Sequence, residues 1–127
     1  MSRTLAFGEA PLAWVGSSKK DFLRFPAPVQ DEMGNVLGVA QFGGKHPAAK
    51  PWKGQGPGTF EIVENYDGDT YRAVYTVRFA AVVFVLHAFQ KKSPKGIATA
   101  QIDVDLVDRR LKAAQQAYEA QHGTQKR

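Results

Sequence analysis

Arg72 and His87 are the pair whose residue types and positions first suggest chemistry, because each stands in a β-rich segment and a hairpin would bring them together. A chain folding back around Phe79–Ala80 sets Arg72 across from His87, with both side chains on one face. A guanidinium fixed there could hold a phosphodiester and the added negative charge of its pentacoordinate transition state. An imidazole beside it could move a proton to or from a reacting oxygen near neutral pH. Two plainer readings stay open: His87 as a structural histidine buried in a central strand, and Arg72 as the ion-pair partner of a nearby carboxylate.

Positive charge gathers around this pair. Between Lys45 and Lys95 lie Lys45, Lys50, Lys53, Arg72, Arg78, Lys91, Lys92 and Lys95, interrupted by Glu61, Glu64, Asp67 and Asp69. Trp52 sits between Lys50 and Lys53, the combination of stacking ring and cation that single-stranded RNA binders use. The whole chain carries 17 Lys and Arg against 12 Asp and Glu, a formal charge of +5 that attracts polyanions. A merely solvated basic face is the competing reading on charge alone.

Several kinds of chemistry are absent from the sequence. There is no cysteine, which removes disulfides, thiolate zinc sites and thiol catalysis together. His46, His87 and His122 have no metal-ligand spacing, and no metal is expected. Gly54-Gln55-Gly56-Pro57-Gly58 precedes a strand-like segment, so it reads as a flexible connection and not a nucleotide fingerprint. No cofactor is expected. A nuclease built this way would have to use the RNA 2′-hydroxyl as its nucleophile, chemistry closed to DNA. The N-terminus lacks an apolar core of signal-peptide length, and the run Phe79 to Leu86 is too short to span a bilayer. The expectation is a cytoplasmic protein without membrane contact.

The elements that must position these residues can be read from period and punctuation. A short strand is expected at Leu12 to Val15, then a helix from Lys19 to about Phe25 capped by Ser18, with Asp21 in capping-box position. Pro28 can open a second helix whose apolar face is Val29, Met33, Val36, Leu37 and Ala40, ended by Gly43-Gly44. Lys45 to Gly58 reads as a loop, and one of that length is more often functional than idle. Strands follow at Phe60 to Glu64, Thr70 to Arg78 and Val82 to Phe89, the first two joined by a turn at Asp67-Gly68. Thr99 can cap a last helix to about Gln121, with Ile102, Leu106, Val107, Leu111, Ala114 and Tyr118 facing the core. Asp103 and Asp105 would complement its positive end. The expected order is β-α-α-β-β-β-α: one α+β domain over residues 1–127, with its core at about 12–121 and helices on a small antiparallel sheet.

Tyr71-Arg72-Ala73-Val74-Tyr75 and Val83-Phe84-Val85-Leu86-His87-Ala88-Phe89-Gln90-Lys91-Lys92-Ser93 together resemble a stretch of the RelE/ParE toxin superfamily. Trp14-Val15-Gly16-Ser17-Ser18-Lys19-Lys20-Asp21 and the last helix resemble its phage-derived, HigB-like branch, so that the likeness covers about residues 12–120. The resemblance implies a microbial RNase (RelE-like) fold, an mRNA endoribonuclease that often works in the ribosomal A site, and a co-encoded antitoxin, usually of helix-turn-helix type. It implies that Arg72 contacts the scissile phosphate and that Lys91 serves protonation of the leaving group. Lys50-Pro51-Trp52-Lys53-Gly54 is similar to a loop that carries a catalytic histidine in HigB-type toxins, with Lys50 in its place. The expected catalytic group is therefore Arg72, Lys91, His87 and Lys50, and the expected RNA contacts are Lys53, Trp52, Lys92 and Lys95.

Two departures from the pattern matter. Glu61 and Val63 stand where RelE has strand lysines that supply its base, and the family's late tyrosine has no clear match, Tyr118 being placed on the apolar helix face. Glu61, His87 and Lys50 all remain open as the base. Two alternatives survive: a ParE-like poison of DNA gyrase with the same scaffold and no catalysis, and a basic nucleic-acid-binding module without toxicity.

Overall fold

The computed structural model describes residues 5–91 and 100–123. Its centre is a sheet made largely by two hairpins. Strands β3 (Thr59–Tyr66) and β4 (Asp69–Thr76) are joined by Asp67-Gly68, both at positive φ (51° and 86°). A two-residue turn of that hand matches the twist of the strands it connects, which is why Asp-Gly belongs there. Strand β5 (Val83–Lys91) returns antiparallel to β4 after a turn closed by Val82 N–H donating to Phe79 C=O. The sheet order is β1-β5-β4-β3-β2, with β1 (Leu12–Trp14) parallel to β5 and β2 (Ala49–Pro51) antiparallel to β3. The expected α+β class is the one observed, although the β1–β5 pair is parallel.

Helices α1 (Ser18–Phe22) and α2 (Ala27–Gln41) cover one face. The stripe expected on α2 is buried throughout: Val29, Met33, Val36, Leu37 and Ala40 pack with Phe22, Phe25, Tyr71, Tyr75 and Val85. Pro28 stands in the first turn of α2, where its missing N–H costs nothing. Helix α3 (Gln101–His122) lies on the other face, with Val107, Leu111 and Ala114 packed on Val74, Val82, Phe84 and Leu86.

Several expectations need correcting. The N-cap of α1 is Ser17, whose Oγ donates to Asp21, while Ser18 is buried and its Oγ donates to Val85 C=O. That helix ends at Phe22, short of Phe25. The loop expected at Lys45 to Gly58 contains the edge strand β2, and three residues with a proline carry too little periodicity to announce it. Ile102 is 75% exposed, because the contact stripe of α3 begins at Val104. Thr99, expected to cap α3, lies outside the described residues.

Candidate active site

Pairing fixes which side chains share the α3 face of the sheet. Lys50 stands opposite Glu61, Glu61 opposite Val74, Val63 opposite Arg72, Arg72 opposite Phe89, Val74 opposite His87 and Thr70 opposite Lys91. Alternation along each strand places Lys50, Glu61, Arg72, His87 and Lys91 on one face. Helix α3 covers the β1–β5 side of that face through Val107, Leu111 and Ala114, and Lys50 at the far edge is exposed.

The register expected between Arg72 and His87 is off by two residues. Near the turn Thr76 pairs with Phe84 and Tyr75 with Val85; then Val74 pairs with His87, leaving Leu86 as the extra residue of a β-bulge. A different turn position and the bulge each contribute one residue of slip. Two slips restore parity, so Arg72 and His87 still share a face although they are no longer opposite. The bulge also turns both Leu86 and His87 towards α3, where Leu86 packs with Val107 and Leu111 while His87 meets Asp103.

Arg72 is bound to a carboxylate: its Nη1 donates to Glu61 Oε1 at 2.7 Å, with side-chain exposures of 15% and 19%. The two stand one diagonal apart on β4 and β3, within reach for a long side chain. Arg72 Nε is buried and has no hydrogen-bond partner.

His87 is committed elsewhere. Its Nε2 lies 2.8 Å from Asp103 Oδ1 and its ring stacks on Phe89 at 4.4 Å, leaving the residue 6% exposed. Burial pushes the imidazole below its ordinary value; the hydrogen bond and charge of Asp103 oppose this, and Arg110 adds to it. A neutral ring donating from Nε2 to Asp103 fits these surroundings, and its Nδ1 is then a buried acceptor without a partner.

Other residues expected in the site take different positions. The Trp52 ring is 5% exposed in the α3-side core, so the ring expected to offer bases a stacking face packs inside the protein. Lys53 is exposed on the following loop. Lys91 ends β5 on the shared face. Lys92 and Lys95 lie outside the described residues. Arg78 holds the glycine-rich loop through the carbonyls of Gln55 and Pro57.

Two residues of α3 carry roles that sequence reasoning missed. Asp103 fixes His87, and Arg110 donates from Nη1 to Leu86 C=O and from Nη2 to Ser17 Oγ, both at 3.0 Å. The signal was present: Asp103, Val107, Arg110, Leu111 and Ala114 follow steps of four, three, one and three, one stripe of a helix. Among the described residues, no group of three or more His, Cys, Asp or Glu side chains is placed to hold a metal ion, and no helix is long and apolar enough to cross a membrane.

A small sheet with two helices on one face and a long C-terminal helix on the other is the RelE-like toxin fold. A mutant E. coli RelE toxin in the free state matches with a TM-score of 0.55 at 18% identity, over 83% of this chain and 97% of that one. The isolated E. coli RelE toxin matches with a TM-score of 0.51 at 21% identity, over 79% and 97%. The intact E. coli RelBE toxin–antitoxin complex contains a chain with a TM-score of 0.51 at 20% identity, over 66% and 99%. No curated protein matches the sequence significantly. The model of the phage-derived Gp49-like protein family (DUF891) matches residues 20–112, and the chain belongs to that family.

Proposed function

We propose that this protein is the toxin of a type II toxin–antitoxin pair, of the HigB-like branch, and that it cleaves messenger RNA on the ribosome without a metal ion or cofactor. The observation that carries this reading is Arg72: a guanidinium held on a sheet face beside an acceptor, with Lys50 and Lys91 on the same face. That is the equipment for binding a phosphodiester and stabilising the charge that grows on it. The fold shared with RelE, and the occurrence of one such chain in a toxin–antitoxin complex, support a protein antitoxin as partner, and we expect one of helix-turn-helix type. Lys53 on the adjacent loop extends the positive surface, and Lys92 and Lys95 add charge just beyond β5 in the sequence. An mRNA substrate places the work in the cytoplasm.

The test is induced expression of wild type and Arg72→Ala from a tightly repressed promoter, with growth and the 5′ ends of cellular mRNA followed together. Growth arrest with new mRNA ends that fall in codon register, both lost in a folded Arg72→Ala protein, is the expected result. Arrest with DNA-damage signalling and unchanged mRNA ends would replace this reading with that of a gyrase poison. Absence of arrest, with salt-dependent RNA or DNA binding and no turnover, would leave a binding module.

A further inference from the structure

We propose that Phe89 is the stacking platform for a nucleobase beside the scissile phosphate, set across the sheet from the arginine that holds that phosphate. The proposal rests on the ribonuclease reading above and adds the group that grips the base, a role the buried Trp52 ring leaves unfilled.

The β-bulge puts Phe89 where it can act. Before it, Phe84 and Leu86 point to the α3 side; beyond it, Ala88 packs in the α2 core while His87, Phe89 and Lys91 take the α3 side. Without the extra residue the parity would be reversed, and the Phe89 ring would turn to the face under α1 and α2. As it stands, Phe89 is the register partner of Arg72, which puts the two Cβ atoms about 5 Å apart. A base and its own phosphate are joined by a single sugar, so one nucleotide spans such neighbours.

The ring is also held still. One of its faces lies on His87, with centroids 4.4 Å apart and planes 17° from parallel, and Asp103 fixes that imidazole at Nε2. Phe89 stays half-buried, so its accessible surface lies on the side away from His87, towards Lys91 along β5. A base laid there becomes the third member of a stack that is already ordered, with Arg72 across from it, and little protein motion is lost on binding. Every base has a π-face, so this contact demands a base without choosing which one. A purely structural Phe89 would only fill space beside α3, which another apolar side chain of similar volume also does.

The experiment measures kcat/KM for wild type, Phe89→Leu, Phe89→Met, Phe89→Tyr and Arg72→Ala on ribosomes programmed with a defined mRNA. Each is compared on the same mRNA carrying an abasic sugar on one or the other side of the scissile phosphate. Leucine and methionine both keep apolar bulk without a ring, and the variant whose urea midpoint lies nearer wild type is the one read. Its expected loss on intact mRNA is on the order of 10–100-fold, most of it recovered by Phe89→Tyr. On the mRNA that lacks the stacked base, wild type should fall by a similar factor and the ringless variant no further. A ringless variant that cleaves intact mRNA like wild type, or that loses the same factor on all three RNAs, overturns the assignment while leaving the ribonuclease intact. Failure of wild type to cleave, or equal cleavage by Arg72→Ala, overturns the ribonuclease reading and the stacking role with it.

Discussion

The two faces of the sheet are built by different rules. The face under α1 and α2 is apolar almost without exception, with aromatic contacts running from Trp14 through Phe22 and Phe25 to Tyr71 at centroid distances of 5.0–5.8 Å. The face under α3 mixes its apolar cluster with an ion pair, a histidine–carboxylate contact and three buried nitrogens without partners: Trp52 Nε1, Arg72 Nε and His87 Nδ1. Leaving polar atoms unpaired costs stability, and among the described residues that cost is confined to the face under α3.

The largest effect that would test this division is Met33→Ala. Met33 has no exposed surface in the α2 core, so the cavity should cost about 2–5 kcal/mol in urea unfolding. Any activity it loses should return where the folded fraction is restored, such as at lower temperature. Asp103→Ala comes next: it strips His87 of the hydrogen bond at Nε2, and a loss of about 1–3 kcal/mol is expected by the same measurement. Recovery of that loss by Asp103→Leu would mean that the contact is packing and not polarity. Gly16→Ala should cost about 1 kcal/mol or more, since Gly16 sits at φ 59° and a Cβ there would meet the tethered Arg110 guanidinium at 2.8–2.9 Å. The smallest effect is the response to pH. His87 holds its proton less tightly folded than unfolded, because burial dominates its surroundings, so its contribution is complete above its ordinary value of 6.5. Stability should decline as pH falls from there towards the lower folded value. Urea midpoints at pH 7.5 and 5.5 should differ in wild type and differ less in His87→Gln.

Legibility followed how local each cause is. Helix α2 was readable because its stripe, its proline start and its glycine end all lie within one segment, and the Asp67-Gly68 turn because two residues fix its hand. The register of β4 on β5 was not readable: the bulge at Leu86 turns side chains towards α3, an element distant in sequence, and no residue at that point marks it. Trp52 was misread for a related reason. Its neighbours are lysines, but its environment is set by Val74 and Leu111, distant in sequence. Arg72 and Glu61 were both visible as polar residues in strands, yet their contact depends on a hairpin register that the Asp-Gly turn fixed closely enough to derive. The stripe joining Asp103 to Arg110 is legible as a helix face, but an acid near a helix N-terminus is equally accounted for by the helix dipole, so the sequence does not single out its contact with His87.

The parallel pairing of β1 with β5 has a consequence for how the chain is made. Residues 12–14 pair with residues 83–85, so β1 gains its partner only after β2, β3 and β4 have been made. The β3–β4 hairpin, whose pairing is local, can form before β5 exists, and long-range closure of β1 on β5 comes later. Ser18 and Arg110 both bind backbone carbonyls of β5 beside that junction, so the closing step also completes these contacts. A nascent chain whose first strand has no partner exposes apolar surface, and the order of synthesis thereby opens an interval in which the protein is vulnerable to capture or degradation.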